Sequence, residues 1–150
     1  MTPADLRYLK MARFIAREFS KDPSTKVGAV ITRPDRTVAG IGYNGLPRGV
    51  ADDERLLDRD LKYEMTVHAE LNAILNCREP LAGYTLYVWP LPPCSRCAAA
   101  IIQAGIRRVV RMPDPSERWT ESCKTGSLML FETGIEQNIL LANQLEDIRP

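Results

Sequence analysis

The chain has 150 residues, of which 45% are hydrophobic and 26% charged, and its formal net charge is +1. These values are ordinary for a soluble globular protein, and the length suits one domain, residues 1–150, with its own core. A charge near zero argues against a long polyanionic partner such as duplex DNA. No apolar run reaches the roughly 18 to 20 residues that span a bilayer, and the N-terminus lacks a secretory signal. We therefore expect a cytoplasmic protein with neither a membrane nor a nucleic-acid partner.

The first half of the chain predicts a helix and then a β-hairpin. Apolar residues recur near helical spacing up to Phe19, and the helix should end before Asp22-Pro23, because a residue before proline avoids the α region. Residues 27–32 and 37–43 are apolar runs typical of paired strands. The polar stretch 44–66 is either a functional, partly helical loop or a solvated insertion with a short helix. The predicted apolar positions of the first helix are Leu6, Leu9, Met11, Phe14, Ile15 and Phe19.

The second half alternates between helices and strands. This order indicates an α/β layered domain with some parallel strands. Gly105 is a suitable residue to follow a helix C-terminus. The predicted elements are a helix over 67–76 with Leu71, Ile74 and Leu75 on one side, a strand over 84–89, a helix over 94–104, a strand over 107–112, a last helix that includes 128–132 and stops at Gly134, and an edge strand over 139–142.

Two predicted helix starts carry residues that bind metals. His68, the one histidine of the chain, begins the first, and Pro93-Cys94-Ser95-Arg96-Cys97 begins the second. Residues at i and i+3 share a helix face, so Cys94 and Cys97 can point at one ion. The partial positive charge of a helix N-terminus favours the thiolate that binds metal. One imidazole and two thiolates suit Zn²⁺, with a fourth tetrahedral position left for water.

Glu70 follows His68 by two residues and is the candidate catalytic residue. Zinc lowers the pKa of a bound water from about 15.7 toward about 7, which yields a nucleophile at neutral pH. Attack on an aminated ring carbon also needs one proton moved to a ring nitrogen and one to the leaving amine. A carboxylate beside the metal can carry both protons.

Other interpretations of these residues stay open. A lone Cys-x-x-Cys also occurs in redox motifs and structural zinc sites, and a lone histidine is often only hydrogen-bonded. A closed structural zinc site would take Cys77 or Cys123 as its fourth ligand, but would leave Glu70 without a role. The combination His68-x-Glu70 with Pro93-Cys94-x-x-Cys97 resembles the H-x-E … P-C-x-x-C signature of zinc deaminases.

Beyond this signature, the sequence resembles the deoxycytidylate (dCMP) deaminase family of the cytidine deaminase superfamily from about Tyr8 to Val110. The Asp-Pro-Ser-Thr-Lys and Gly-Tyr-Asn-Gly segments narrow the likeness to the branch that acts on nucleotides. The matching stretches are 22–30, 40–45 with Pro47 and Gly49, Asp52-Asp53, Lys62-Tyr63, 68–74, Tyr87-Val88, Pro93-Cys94-x-x-Cys97 and 101–106.

The resemblance implies a three-layer α/β/α sandwich around a five-stranded mixed sheet. It implies zinc-dependent hydrolysis of dCMP to dUMP and ammonia, homo-oligomers that are often hexamers, and regulation by dCTP and dTTP. It also implies that Asn44 contacts the substrate, although an Asn-Gly pair equally predicts a left-handed turn. The candidate substrate-binding residues are Asn44, Ala69, Ser24, Thr25 and Lys26.

Phosphate binding depends on cations and hydroxyls whose position the sequence does not give. Ser24, Thr25 and Lys26 offer two hydroxyls and an ammonium, and Arg48 and Arg111 offer guanidinium groups, but each cation is equally an ordinary surface residue. The sequence departs from the family at Pro92, where phenylalanine is common, and over 113–119, where an Asp-Lys-Tyr-like segment is frequent. Within that second segment, Trp119 either closes the pocket or packs the last helix.

Two further functions remain as alternatives. One is deamination of another aminated base, nucleoside, nucleotide or tRNA anticodon, the last of which the near-zero net charge disfavours. The other is a zinc-stabilised binding module without catalysis.

Overall fold

The computed structural model describes residues 1–114, 120–140 and 144. Its elements follow one another as helices and strands, with a short 3₁₀ turn over Glu54–Leu56. In chain order they are α1 (Pro3–Phe19), β1 (Gly28–Thr32), β2 (Val38–Tyr43), α2 (Arg59–Met65), α3 (Ala69–Asn76), β3 (Thr85–Trp89), α4 (Ser95–Gln103), β4 (Arg108–Arg111), α5 (Thr120–Glu132) and β5 (Glu136–Ile139).

The five strands form one mixed sheet in the order β2-β1-β3-β4-β5. Strand β1 is antiparallel to both neighbours, β2 and β3. Strands β3, β4 and β5 are parallel, and α4 forms the crossover from β3 to β4. The predicted five-stranded mixed sheet is therefore confirmed.

Helices cover both faces of the sheet. Helix α1 packs against β1 and β3, whereas α3 packs against β2 and β1 on the other face, beside α4 and α5. Side chains of β1 alternate between these layers: Val30 joins the cluster that contains Leu9, and Ile31 joins the cluster that contains Ala73 and Ile101. The predicted three-layer α/β/α sandwich is confirmed, and β1 is its most buried strand because both of its faces are covered.

The buried face of α1 differs from the predicted one. Leu9 and Ile15 are buried as expected, but Phe14 is 59% and Phe19 48% exposed. The reason is Gly28, where a Cβ would lie 2.1 Å from the carbonyl oxygen of Ala12. At this close approach only the small side chains of Ala12 and Ala16 fit between helix and strand, and the two aromatic rings lie on the exposed side of the helix.

Close packing against glycines of a strand also determines which face of α3 is buried. The predicted apolar side of 71, 74 and 75 is wrong at Leu75, which is 63% exposed, and the buried residues are Ala69, Glu70 and Ala73. Strand β2 lies against this face with Gly40 and Gly42, which have no side chain. The helix backbone therefore approaches the sheet closely, and only small residues of α3 fit between them.

The remaining elements agree with the sequence within a few residues. The 44–66 stretch forms the 3₁₀ turn and α2, and Gly105 has a φ of 78° after α4. The last strand begins earlier than predicted, at Glu136, and residues 141 and 142 lie outside the described part. Among the described residues, no helix is long and apolar enough to cross a membrane. The assignment of 1–150 to one domain stays a prediction.

Candidate active site

The site forms where two helices begin beside the ends of strands. His68 is the N-cap residue of α3, and Cys94 is the N-cap residue of α4, a few residues after β3 ends. Neither side chain caps its own helix. Instead, the N–H of Ser95 in the first turn of α4 donates to Ser122 Oγ of α5 at 3.2 Å. The His68 imidazole and the Cys94 thiol are thus left for another partner.

Backbone contacts hold both helix starts in place. The residue before His68 is paired with Gly45 by two hydrogen bonds, Gly45 N–H to Val67 O at 3.2 Å and Val67 N–H to Gly45 O at 2.9 Å. On the other side, Gly126 of α5 lies against the chain before Cys94, where a Cβ would be 2.6 Å from Pro93 O. The donor atoms are therefore positioned by packing of backbone against backbone.

Three donor atoms converge with the spacing of a zinc site. His68 Nδ1 lies 3.5 Å from Cys94 Sγ and 3.4 Å from Cys97 Sγ, and the three atoms lie within 4.8 Å of one another. A tetrahedral zinc with Zn–N of about 2.05 Å and Zn–S of about 2.3 Å requires an N···S separation of about 3.6 Å. The donor set and its spacing both fit zinc.

The electrostatics of the cluster favour a bound cation. The pKa of the Cys94 thiol is well below its ordinary value, because Cys97 donates a hydrogen bond to its sulfur and His68 adds another, which together outweigh burial. The hydrogen bond to Cys94 and burial raise the pKa of Cys97. Cys97 is thus the thiol that donates to the Cys94 thiolate, and a metal ion bound by both sulfurs would displace its proton.

Glu70 lies in the same site and is only 4% exposed. Burial raises its pKa to about 7, although the nearby positive charge of His68 opposes the shift. Proton transfer is most efficient when the pKa of the transferring group lies near the working pH. The carboxyl group is therefore suited to accept and return a proton at neutral pH.

The donor atoms open into a cavity of about 70 Å³. Among the predicted site residues, those that line it are His68, Glu70, Cys94, Asn44, Ala69 and Thr25. Cys123, named only as a possible fourth zinc ligand, and Pro92, named only as a departure from the family, also line it. The sequence analysis did not single out the other lining residues for the site, namely Asp22, Val27, Tyr63, Thr66 and Leu91. Asp22 and Tyr63 could have been proposed from the sequence, since both lie in segments that match the family. The sequence around each of them does not show that these two segments meet in the fold.

Asn44 lines the cavity with both ends of its amide group engaged. Its Oδ1 accepts from Ser20 Oγ at 2.8 Å and from the backbone N–H of Val27 at 2.7 Å. Its Nδ2 donates to Thr25 O at 2.8 Å. The left-handed turn is wrong, because φ is positive at neither Asn44 nor Gly45. Asn44 holds the segment 20–27 in the cavity wall, and its contact with substrate stays a prediction.

Most candidate phosphate ligands lie away from the cavity. Ser24 and Lys26 are exposed and do not line it, and Lys26 Nζ donates to Arg17 O at 3.1 Å. Arg48 donates to Asn76 Oδ1. Arg111 is buried and bonds Asp114 Oδ1 at 2.8 Å. Thr25 alone of this set reaches the cavity within the described residues, and Trp119 lies outside them.

The two remaining cysteines do not complete a closed structural site. The Cys123 thiol lines the cavity but donates to Pro92 O at 3.5 Å, and the Cys77 thiol donates to Ala73 O at 3.3 Å beneath β2. Among the residues described, neither belongs to the metal-binding group. The arrangement is that of three protein ligands with an open position, which is typical of catalytic zinc.

Known proteins are similar to this chain in sequence and in fold. Human deoxycytidylate deaminase is 43% identical over 131 residues, covering 83% of this chain and 72% of the human protein. A deaminase of the luxG 3′ region of Aliivibrio fischeri is 42% identical over 134 residues, covering 87% of this chain and 88% of that protein. The crystal structure of the cyanophage S-TIM5 dCMP deaminase in complex with dCMP and dUMP has a TM-score of 0.76 and 26% identity, covering 93% of this chain and 99% of that one.

The family of the chain follows from a family model that matches most of it. The model of the cytidine and deoxycytidylate deaminase zinc-binding region matches residues 2–112. This range includes His68, Glu70, Cys94 and Cys97, the residues around which the cavity is built. The chain therefore belongs to the cytidine and deoxycytidylate deaminase family.

Proposed function

We propose that this protein is a zinc-dependent hydrolase that converts dCMP and water to dUMP and ammonia. The observation that carries the proposal is the cluster of His68, Cys94 and Cys97 donor atoms beside the buried carboxyl group of Glu70, in one cavity. The cluster lies within residues 2–112, the range that matches the zinc-binding region of the family. No other group of three or more metal-binding side chains occurs in the described residues.

Each of these residues has a distinct role in the proposed mechanism. His68, Cys94 and Cys97 would hold the zinc ion, which when bound would supply an activated water as the nucleophile. Glu70 would accept one proton from the attacking water and pass it to the ring nitrogen N3 of cytosine. It would then take the second proton of the same water, from the oxygen now bonded to C4, and pass it to the amine, which leaves C4 as ammonia. Water contributes the oxygen of the new carbonyl group, so the balance is one water consumed and one ammonia released.

The choice of dCMP rests on the relatives. The human relative is named for deoxycytidylate deamination, and the phage structure contains dCMP and dUMP. Thr25, Asn44 and Ala69 line the cavity and are the candidate substrate contacts there. Ser24 and Lys26 stay predicted phosphate ligands. Homo-oligomers and regulation by dCTP and dTTP are further proposals from the family resemblance, and a cytoplasmic location stays a prediction.

A panel of substrates tests the proposal. Purified protein with zinc is incubated with dCMP, CMP, deoxycytidine and dCTP, and loss of the amine is followed by ultraviolet absorbance. Two charge-assisted hydrogen bonds to phosphate, at about 1.5 to 3 kcal/mol each, predict that kcat/KM for dCMP exceeds that for deoxycytidine by roughly two to four decades. Equal values, or a preference for deoxycytidine, would contradict the assignment of a nucleotide substrate.

The same assay separates the alternative functions. Turnover of another aminated base with no reaction on dCMP would indicate a different member of the superfamily. A protein that binds zinc and nucleotide but turns over none of the substrates would indicate a binding module. In that case Glu70→Gln would leave its binding function intact.

A further inference from the structure

Helix α2 is held to the protein by a charged residue. Its only buried residue is Lys62, which is 4% exposed, whereas Leu61 on the same helix is 40% exposed. A surface helix normally buries an apolar stripe, and lysine is almost never fully buried without a partner. In the described part of the chain, α2 packs on the 3₁₀ turn that precedes it and on no other named element. The buried side chain of α2 is therefore a charged one.

The partner of Lys62 lies 40 residues earlier in the chain. Lys62 Nζ donates to Asp22 Oδ1 at 2.9 Å and to Ser24 Oγ at 2.7 Å. The same Asp22 oxygen accepts the backbone N–H of Thr25 at 2.9 Å. Burial opposes ionisation of Asp22, but these hydrogen bonds outweigh it and hold the pKa below its ordinary value. The pair is thus ionic and desolvated, with side chains 5% and 7% exposed.

This ion pair joins two parts of the cavity wall. Asp22 and Thr25 line the cavity from the segment after α1, and Tyr63 and Thr66 line it from α2 and the residue that follows. Breaking the pair would remove a buried link between these two parts of the wall. The residues of the proposed chemistry lie on α3 and α4, which have their own backbone contacts at Gly45 and Gly126.

We propose that Lys62 is a positioning residue, whose buried ion pair with Asp22 holds α2 as a wall of the substrate cavity. The inference rests on the proposed function, since the substrate concerned is the one proposed for this site. Lys62 sets the affinity for that substrate and takes no part in proton transfer. A loss of such uniform binding raises KM and leaves kcat nearly unchanged.

Two variants test this role. Lys62→Met keeps the length of the side chain but leaves Asp22 as a buried, unpaired charge. The double variant Asp22→Asn/Lys62→Met removes both charges, while the Asn oxygen can still accept the N–H groups of Ser24 and Thr25. Lys21→Met is the matched control, because Lys21 is the neighbour of Asp22 in the same segment and pairs with Asp52, not with α2, at 2.7 Å in a pair that is 70% and 33% exposed.

Three readouts are compared, beside thermal unfolding of each variant: steady-state kinetics on dCMP, zinc content, and hydrogen exchange of the α2 amides. We expect both variants to raise KM about tenfold or more, equivalent to about 1.4 kcal/mol of binding, with kcat within about threefold and zinc retained. Exchange in α2 should become faster while β3 stays protected. The double variant should regain thermal stability relative to Lys62→Met and keep the raised KM, which a purely structural role does not predict. Lys21→Met should resemble the wild type in all three readouts.

The outcomes that would overturn the proposal are specific. An unchanged KM or unchanged α2 exchange in Lys62→Met would show that the pair does not hold the wall. Loss of zinc or fold in both variants would show a role in folding alone. A wild-type protein that deaminates no cytosine substrate would refute the proposed function instead, and hydrogen exchange would still decide whether the ion pair holds α2.

Discussion

Gly42 of β2 lies against the backbone of Ala69, the residue between His68 and Glu70. A Cβ at Gly42 would be 2.2 Å from the carbonyl oxygen of Ala69 and 2.3 Å from the backbone nitrogen of Ala73. Both contacts are with helix backbone, which cannot rotate away as a flexible side chain can. The sheet therefore determines how deep the start of α3 lies, and with it the position of the candidate catalytic carboxyl group.

We predict that Gly42→Ala destabilises the protein and lowers its activity. Overpacking against backbone typically costs about 1 to 3 kcal/mol, and the displaced helix carries Glu70. Urea unfolding and kcat on dCMP measure the two effects. Gly45→Ala is the control for stability, because its Cβ would meet only a ring carbon of Tyr43, at 3.9 Å. Equal unfolding free energies in the two variants would contradict this account.

Removal of a proposed zinc ligand should release the metal. Wild-type protein is expected to hold about one zinc per chain, and His68→Ala should lose most of it, since two thiolates remain from a set of three ligands. Atomic absorption on dialysed protein gives the content. Cys77→Ser and Cys123→Ser should retain zinc, because both thiols donate to backbone carbonyls instead. Zinc loss in either serine variant would favour a closed structural site.

Glu70→Gln should keep zinc and lose turnover. Glutamine has nearly the same size but cannot accept and return a proton, and such transfers typically contribute about 10² to 10⁴ in rate. The comparison is kcat on dCMP together with zinc content. A variant that keeps more than about a tenth of the wild-type kcat would be inconsistent with a proton-transfer role.

A second buried ion pair should make stability depend on pH. Asp5 is 2% exposed and receives two hydrogen bonds from Arg108, at 2.8 and 2.9 Å. Burial raises the pKa of Asp5, but these bonds and those from Thr2 outweigh it, so the pKa lies well below its ordinary value. A depressed pKa gives stability that is present above the unfolded value of about 3.9 and is lost as pH falls further.

Arg108→Met tests this pair by leaving Asp5 unpaired. At pH 7 the loss should be about 3 kcal/mol, because Asp5 loses its ionic partner but keeps the hydrogen bonds from Thr2 and Tyr87. The difference in unfolding free energy between the variant and the wild type should narrow below about pH 4. There Asp5 of the variant is neutral, and the wild type loses the contribution of its ion pair. Urea unfolding at pH 7, 5 and 3.5 measures it. Lys124→Met, in a pair that is 61% and 91% exposed, should change the unfolding free energy little at any pH. A loss of stability in Arg108→Met that does not depend on pH would contradict the assignment.

The residues proposed for the chemistry were predictable from the sequence, and most of those proposed for binding were not. His68, Glu70, Cys94 and Cys97 stand in a short motif whose spacing reflects the demands of one metal ion and one proton transfer. Lys26 and Arg48 also lie in or beside segments that match the family. Their side chains nevertheless donate to Arg17 O and Asn76 Oδ1, outside the cavity. The sequence around a lysine or arginine does not show whether its side chain faces a cavity, because that depends on the path of distant segments.

The sequence by itself determined the order of helices and strands and the metal-binding motif, because each follows from local periodicity or from closely spaced ligands, and its family resemblance implied the three-layer class. Only the tertiary structure decided that α3 buries alanines while Leu75 stays exposed, since the cause is Gly40 and Gly42 on a separate strand. It also decided that Lys62 is buried against Asp22. Contacts between segments far apart in the chain depend on how close their backbones come, and no local pattern records that distance.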